Sequence, residues 1–259
     1  MKDCIGIFDS GIGGLSVYRA INALLPSEST IYLGDGINAP YGEKSREEII
    51  DLSIRNTEWL LERGAKMIVV ACNTATTNAI DTLRSRYDVP FVGIEPATKP
   101  AAIQTKTGKI GILATRGTFA SELYLTTSKA HRGTVEIIET IGTGLVPLIE
   151  HGELEKTRPL LKSYLEPMVK AGVDNIVLGC THYPFLINII KEIVPTTVSI
   201  IEPSKAIAQH VQRILDSRNL FNADSNTLHE FYTTADPQIM ESFVTTIHSS
   251  SAKVAYVSF

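Results

Sequence analysis

The chain has 259 residues, of which 44% are hydrophobic and 20% are charged, and its net charge is −4. This length suits one large domain or two small ones, and the acidic balance gives no electrostatic basis for binding nucleic acid. No apolar run approaches the roughly 18 residues that a membrane span needs, and an odd count of three cysteines argues against a disulfide framework. The sequence therefore predicts a cytoplasmic globular protein with neither a membrane nor a nucleic-acid partner.

The N-terminal segment predicts a strand, a glycine-rich turn and an amphipathic helix, over residues 5–8, 9–14 and 15–25. A turn of this kind presents backbone N–H groups to an anion. A dinucleotide fingerprint needs another glycine where Ser16 stands, and the lysine of a phosphate loop is missing too, so nucleotide binding is not expected. Asp9 and Ser10 are instead candidates for contacting a small polar ligand, the alternative being a helix cap with a tight turn.

The next elements predicted are a strand, a long turn-rich loop, a helix and two further strands, over residues 30–35, 35–42, 45–63, 67–71 and 91–94. Ser45 and Glu48 predict a capping box at the start of the helix. The loop is either a plain connection or part of a site, to which Tyr41 would bring a hydroxyl and Gly42 a bare backbone amide.

From Gly108 onward the same order of elements begins again, which indicates an internal duplication. Four segments recur in the same order at offsets of 105 to 108 residues, among them Ile-Glu-Pro at 94–96 and at 201–203. A repeated domain-sized unit, with apolar strands buried on both faces, predicts an α/β fold of two similar parallel-sheet lobes.

The segment after residue 205 belongs to neither repeat and predicts two helices and two strands, over residues 206–216, 237–247, 229–233 and 254–258. We expect this tail to complete the sheet of the first lobe. The predicted domains are therefore residues 1–96 together with 206–259, and residues 97–205. Pro96 and Pro203 would stiffen the two crossings between the lobes.

Two cysteines stand at equivalent positions of the repeats, eight residues after Gly64 and after Gly172, where an apolar run ends. Open α/β sheets bind ligands at the carboxyl ends of their strands, so Cys72 and Cys180 predict one site in the cleft between the lobes, with a thiol on each wall. We expect each to lie at a helix N-terminus, a position that lowers the pKa of a thiol. Cys4 has no repeat partner and is interpreted as structural.

Several chemistries use cysteine, and the pattern fits them unequally. A redox pair usually has Cys-x-x-Cys spacing, which neither cysteine shows, and a metal site would need a fourth ligand beside Cys72, Cys180 and His182. A thiol hydrolase would leave one of the two cysteines without a task. A two-base proton transfer uses both thiols, one to remove a proton from a carbon and one to return a proton to the opposite face.

Seven motifs closely resemble those of bacterial glutamate racemases, in the aspartate/glutamate racemase family. They lie at residues 9–14, 40–42, 71–75, 95–97, 114–118, 146–150 and 179–184. The resemblance implies racemisation of L-glutamate to D-glutamate without cofactor or metal, supply of D-glutamate for peptidoglycan, and a homodimer whose lobes move on binding. Relatives that need a nucleotide-linked activator carry an N-terminal extension, whereas this chain enters its first strand at once, so such activation is not expected.

The resemblance also assigns roles by position. Cys72 would remove the proton of the D-isomer with help from Asp9, and Cys180 that of the L-isomer with help from Glu150 and His182. Substrate contacts would come from Asp9, Ser10, Tyr41, Gly42, Asn73, Thr74, Thr181 and His182, with Thr76, Thr115 and Thr118 nearby. Hydroxyl, amide and backbone N–H donors of this kind bind carboxylates without an arginine.

Two alternatives to glutamate racemisation stay open. One is an aspartate racemase of the same family, because one methylene in a pocket is worth only about 1–3 kcal/mol of discrimination. The other is a two-lobed amino-acid sensor without turnover, which predicts no exchange of the α-proton with solvent.

Overall fold

The computed structural model describes residues 3–129, 133–222, 227–248 and 253–259, in which strands and helices alternate. The strands are β1 Cys4–Asp9, β2 Thr30–Gly34, β3 Ala65–Val70, β4 Phe91–Gly93, β5 Lys109–Ala114, β6 Glu136–Ile141, β7 Asn175–Gly179, β8 Ser199–Ile201, β9 His229–Thr233 and β10 Val254–Tyr256. The α-helices are α1 Leu15–Leu24, α2 Arg46–Glu62, α3 Asn73–Arg86, α4 Thr98–Gln104, α5 Arg116–Phe119, α6 Glu122–Lys129, α7 Leu145–Glu150, α8 Arg158–Lys170, α9 Ile187–Ile193, α10 Ser204–Ser217 and α11 Pro237–Ile247. Short 3-10 helices lie at Gly36–Asn38, Tyr41–Glu43, Leu154–Thr157 and Tyr183–Leu186.

The strands form two parallel sheets, one in each lobe. In the part of the chain described, the first sheet has the order β10-β9-β2-β1-β3-β4 and the second has the order β6-β5-β7-β8. The stretch β2-β1-β3-β4 of the first sheet therefore has the same topology as the whole second sheet, with every pairing parallel. This confirms the predicted fold class of two similar parallel-sheet α/β lobes.

The C-terminal strands lie in the first sheet, where β9 pairs with β2 and β10 pairs with β9. Helix α10 packs on α1 of the first lobe, whereas α4 packs on β5 and β7 of the second. The chain therefore passes between the lobes after β4 and again after β8. The domain boundaries drawn at residues 96 and 205 stay a prediction.

Local signals in the sequence account for the ends of α2. Ser45 accepts a hydrogen bond from the N–H of Glu48 at 3.2 Å, and the Glu48 carboxylate accepts one from the N–H of Ser45 at 2.9 Å, which is the predicted capping box. Gly64 follows the helix with a φ of 84°, a conformation that favours glycine. The predicted capping box is therefore confirmed.

The core lies on both faces of each sheet, as expected of strands covered by helices on two sides. Along β1, Ile5 and Ile7 join one hydrophobic cluster, while Cys4 and Phe8 join another on the opposite face. Cys4 is fully buried there, in agreement with its structural interpretation. None of the helices described is long and apolar enough to cross a membrane.

Candidate active site

A small cavity lies between the lobes, at the carboxyl ends of strands from both sheets. The space among its lining residues is about 260 Å³ and is partly open to solvent. The lining residues are Ser10, Pro40, Tyr41, Gly42, Cys72, Asn73, Thr74, Thr115, Val146, Cys180, Thr181 and His182. Ser10 follows β1 as Thr115 follows β5, and Cys72 follows β3 as Cys180 follows β7. Equivalent strands of the two lobes thus bring equivalent positions to one site.

Cys72 caps the N-terminus of α3, as predicted. Its sulfur accepts a hydrogen bond from the N–H of Ala75 at 3.4 Å and lies 3.7 Å from the hydroxyl of Ser10. The expected low pKa is wrong, however. Burial raises the pKa of the Cys72 thiol above its usual value, and the charge of Asp9 adds to the effect, which together outweigh the Ala75 N–H and the Ser10 hydroxyl. Cys72 is therefore held in its protonated form.

Asp9 is fully buried and is not one of the described residues that line the cavity. Its carboxylate accepts hydrogen bonds from the N–H of Gly11 at 3.0 Å and from the hydroxyl of Thr181 at 3.1 Å. Thr181 belongs to the second lobe, so this bond joins the two lobes. Burial raises the pKa of Asp9, an effect that the nearby positive charge of His182 opposes.

Cys180 differs from Cys72 because no α-helix begins at it. Pro184 has no N–H to donate to the Cys180 carbonyl four residues earlier, so the chain instead forms a tighter turn in which Tyr183 N–H donates to that carbonyl at 3.1 Å. A 3-10 helix follows at Tyr183–Leu186, and α9 begins only at Ile187. The expectation that both cysteines stand at helix N-termini is therefore wrong for Cys180.

A histidine and a glutamate stand beside Cys180 in place of the helix. Nδ1 of His182 lies 3.7 Å from the Cys180 sulfur, and Nε2 of the same ring is hydrogen-bonded to the carboxylate of Glu150. Burial lowers the pKa of His182, but this effect is outweighed by the hydrogen bonds to Cys180 and Glu150 and by the charge of Glu150. The pKa of the His182 ring therefore lies well above 6.5. The ring is therefore held as an imidazolium paired with Glu150, next to the sulfur.

Threonine hydroxyls form the boundary of the cavity on the Cys72 side. The hydroxyl of Thr74, in the first lobe, lies 2.8 Å from that of Thr115 and 3.4 Å from that of Thr118, both in the second lobe. Thr115 also caps α5 by accepting from the N–H of Thr118 at 3.2 Å. Thr118 is buried behind the other two, and only Thr74 and Thr115 reach the cavity lining. The three hydroxyls join the lobes beside the site.

Asn73 has an unsatisfied polar atom at the cavity. Its side-chain amide donates to the carbonyl of Ile94 at 3.3 Å, while its Oδ1 is buried and has no hydrogen-bond partner within the described residues. A buried acceptor without a donor is unfavourable by about 1–3 kcal/mol. A ligand that brings an N–H group to this atom would remove the penalty.

Tyr41 lines the cavity with its ring, but its hydroxyl points to a carboxylate outside the lining. The Tyr41 hydroxyl donates to Asp35 at 2.6 Å, and the Asn56 amide donates to the Tyr41 hydroxyl at 3.0 Å. Asp35 also accepts from Thr234 in the tail at 3.0 Å and pairs with Arg55 at 3.1 Å. Sequence reasoning missed Asp35, whose one signal was its place at the carboxyl end of β2.

Thr76 is not brought to the cavity. Its hydroxyl donates to the carbonyl of Val70 at 3.1 Å and accepts from the N–H of Ile94 at 3.0 Å, so it joins α3 to the ends of β3 and β4. Glu150 is also behind the lining, in contact with His182. The other predicted residues lie around the cavity or directly behind it, and their roles in binding or catalysis stay predictions.

The described residues contain no cluster of three or more histidine, cysteine or acidic side chains arranged to hold a metal ion. The cavity lining given above also contains no lysine or arginine from the part of the chain described. Its polar groups are hydroxyls, amides, two thiols and the His182 ring. Apart from the protonated His182 ring, whose two nitrogens face Cys180 and Glu150, the donors available to a ligand carboxylate are therefore neutral.

The chain is similar to known proteins over most of its length. Residues 5–211 match the model of the Asp/Glu/hydantoin racemase family. A glutamate racemase from Herpetosiphon aurantiacus is 48% identical over 241 residues, which cover 92% of this chain and 95% of that protein. The crystal structure of glutamate racemase isoform RacE1 from Bacillus anthracis has a TM-score of 0.88 at 31% identity, covering 99% of this chain and 97% of that one.

A further similar structure was solved with ligands bound. Escherichia coli glutamate racemase, in complex with L-glutamate and the activator UDP-MurNAc-ala, has a TM-score of 0.87 at 31% identity and covers 100% of this chain and 99% of that chain. The family match and the relatives both extend over most of the sequence. This chain therefore belongs to the Asp/Glu/hydantoin racemase family and, within it, groups with the glutamate racemases.

Proposed function

We propose that this chain interconverts L-glutamate and D-glutamate without a cofactor, with Cys72 and Cys180 as the two proton-transfer groups. The observation that carries the proposal is that the two thiols come from opposite lobes and line the same cavity between them. Inversion of a carbon centre needs a base on one face and an acid on the other, and a pair of thiols related by the duplication supplies both.

In this proposal the two thiols begin the reaction from L-glutamate in different roles. The raised pKa of Cys72 keeps its proton available for donation. The positively charged His182 ring lies 3.7 Å from the Cys180 sulfur, the group that acts on L-glutamate in this proposal. Cys180 would then remove the α-proton of L-glutamate, and the Cys72 thiol would deliver its proton to the other face. The reverse reaction uses the same groups with their roles exchanged.

The cavity also suits the charged groups of the substrate. The unpartnered Oδ1 of Asn73 would accept a hydrogen bond from the substrate ammonium. Hydroxyls of Thr74, Thr115 and Thr181 would donate to carboxylates, and donors at the α-carboxylate stabilise the charge that develops there as the proton leaves. Exclusion of water by the bound substrate would strengthen these interactions.

Other parts of the proposal rest on the resemblance alone. They are the supply of D-glutamate for peptidoglycan, a cytoplasmic location, assembly as a homodimer, and activity without metal or nucleotide. Glutamate is preferred over aspartate as the substrate because the relatives compared above are named glutamate racemases. Rates of D-glutamate and D-aspartate formation from their L-isomers, measured side by side, would decide between the two.

The test is exchange of the α-proton in deuterated water, followed by NMR on the purified chain with L-glutamate and with D-glutamate. We expect exchange with both isomers, and a loss of racemisation of at least about 100-fold in Cys72→Ser and in Cys180→Ser. Cys4→Ser is the matched control, because Cys4 is a buried cysteine outside the cavity, and it should keep its activity. A chain that binds glutamate without any exchange would be a sensor and would refute the proposal.

A further inference from the structure

The glycine-rich turn between β1 and α1 contacts the second lobe directly. The N–H of Ile12 donates to Oε1 of Glu150 at 2.8 Å, and the hydroxyl of Ser16 donates to the carbonyl of Thr181 at 3.2 Å. A turn that presents N–H groups at a helix N-terminus is a usual place for an anion. Here the anion is a carboxylate of the same protein, contributed by the opposite lobe.

Two glycines of this turn leave the space that the second lobe fills. A methyl group added at Gly11 would lie 2.5 Å from the carboxyl carbon of Glu150, and one at Gly13 would lie 2.7 Å from Cε1 of the His182 ring. Separations under 3.0 Å essentially never occur for real Cβ atoms. The described residues with positive φ include neither Gly11 nor Gly13, so their backbone conformation would accept alanine. A methyl group at Gly11 would therefore force the Glu150 carboxylate to shift, and one at Gly13 would force the His182 ring to shift.

We propose that Gly11 and Gly13 are positioning residues for Cys180, and that they form the surface of the first lobe against which the Glu150–His182 pair rests. The contacts run from Ile12 N–H to Glu150, from Glu150 to His182, and from His182 to the Cys180 sulfur. Contact between the lobes thus completes the proton-transfer group of Cys180. The inference rests on the proposed racemisation and adds to it the residues that assemble one of its two halves.

The position of the glycines excludes a direct role on the substrate. Gly11 and Gly13 are absent from the described residues that line the cavity, whereas Glu150 and His182 lie between them and the sulfur. The hydrogen bond and charge of Glu150 raise the pKa of His182, which keeps a proton on the ring beside Cys180. A displaced Glu150 would therefore weaken Cys180 as a base and leave substrate binding largely intact.

The experiment is a double-mutant cycle between Gly11→Ala and Glu150→Ala. In the parent background, Gly11→Ala should lower kcat by about 10-fold or more with KM within about threefold, since only part of a general-base contribution is lost. In the Glu150→Ala background the carboxylate that the methyl would overlap is gone, and the same change should lower kcat by less than about twofold. Gly133→Ala is the matched control, because a methyl there meets no atom of the described residues within 4 Å.

A second readout distinguishes the two halves of the reaction. The equilibrium between enantiomers fixes the ratio of kcat/KM in the two directions, so direction is read from the isotope effect of substrate deuterated at the α-carbon. With Gly11→Ala the effect should rise for L-glutamate, whose proton Cys180 removes, and fall for D-glutamate. Equal losses from Gly11→Ala in both backgrounds, or an isotope effect that rises for D-glutamate instead, would overturn the proposal.

Folding is followed in the same set of variants by circular dichroism. If Gly11→Ala alone fails to fold, recovery of folding in the double variant supports the contact with Glu150, and failure of both variants overturns it. A parent enzyme without racemisation would refute the proposed function. An active parent with an additive cycle would refute only the role of the glycines.

Discussion

Replacing Glu150 by glutamine keeps the length of the side chain and removes the negative charge beside His182. Glu150 accepts hydrogen bonds from Ile12 N–H and from the His182 ring. The Glu150 side chain is 14% exposed and that of His182 is 2% exposed, so solvent screens the pair weakly. The amide oxygen of glutamine can still accept a hydrogen bond from the N–H of Ile12, but it has no negative charge with which to raise the pKa of His182.

A hydrogen bond to a charged group contributes about 1.5–3 kcal/mol to stability, and Glu150→Gln should lower the unfolding free energy by about this amount while the ring is protonated. The pKa of His182 in the folded protein lies well above 6.5, and in the unfolded chain it lies near 6.5. A raised folded pKa means that the stabilisation is complete below the unfolded pKa and is lost as pH rises through the folded one. The difference between parent and variant should therefore be largest in mildly acidic solution and shrink in alkaline solution.

Urea unfolding followed by circular dichroism at pH about 6 and pH about 9 measures this difference on either side of the unfolded pKa. Glu153→Gln is the control, because Glu153 pairs with Lys156 at 2.8 Å on the surface, with side chains 40% and 68% exposed. That pair should contribute less than about 1 kcal/mol at either pH. A loss in Glu150→Gln that is the same at both pH values, or no larger than that of the control, would refute the reasoning about the imidazolium.

Two further predictions concern a thiol and a hydroxyl. The raised pKa of Cys72 means that the folded protein keeps a proton that the unfolded chain releases above pH 9.0, so the unfolding free energy of the parent should fall by up to about 1.4 kcal/mol per pH unit. In urea unfolding between pH about 8 and about 10, Cys72→Ser should show a shallower fall. Parallel pH slopes for parent and variant would contradict the raised pKa. Thr76→Val should lower the unfolding free energy by about 1–3 kcal/mol, because the carbonyl of Val70 and the N–H of Ile94 each lose a hydrogen-bond partner. We expect kcat and KM of the folded variant to stay within about twofold of the parent values. A large rise in KM would show instead that Thr76 contacts the substrate, as the resemblance implies.

The fold could be predicted from the sequence because its signals are local and repeated. Apolar runs predict buried strands, Ser45 and Glu48 predict the start of α2, and the offset between Cys72 and Cys180 predicts two lobes of the same form. The observed ends of elements differ from the predicted ends by one or a few residues; β4, for example, ends at Gly93, whereas the prediction ended it at Ile94. Hydrogen bonding to neighbouring strands decides these ends, and that information is not local.

The site was predictable in its members and much less in its electrostatics. Both cysteines could be identified from their position at the end of a strand. The helix N-terminus at Cys72 led us to expect a lowered pKa, whereas burial and the charge of Asp9 raise the pKa of this thiol. At Cys180 the single residue Pro184 prevents an α-helical turn, a consequence visible in the sequence but overlooked beside the repeat. Asp35 was missed because its partners Tyr41 and Thr234 are distant from each other in the chain and meet only in the folded protein.

The two thiols occupy equivalent places in the duplicated framework but not equivalent surroundings. Cys72 is beside a buried carboxyl group, which disfavours a thiolate, whereas Cys180 is beside the His182 imidazolium. Under the proposed mechanism a turnover from L-glutamate leaves Cys72 without its proton, in surroundings that disfavour a thiolate. A proton must then return to Cys72 and leave Cys180 before the next L-glutamate reacts, through solvent or through a molecule of D-glutamate. The duplication therefore accounts for two opposed thiols, while Asp9 on one side and the Glu150–His182 pair on the other give them different surroundings.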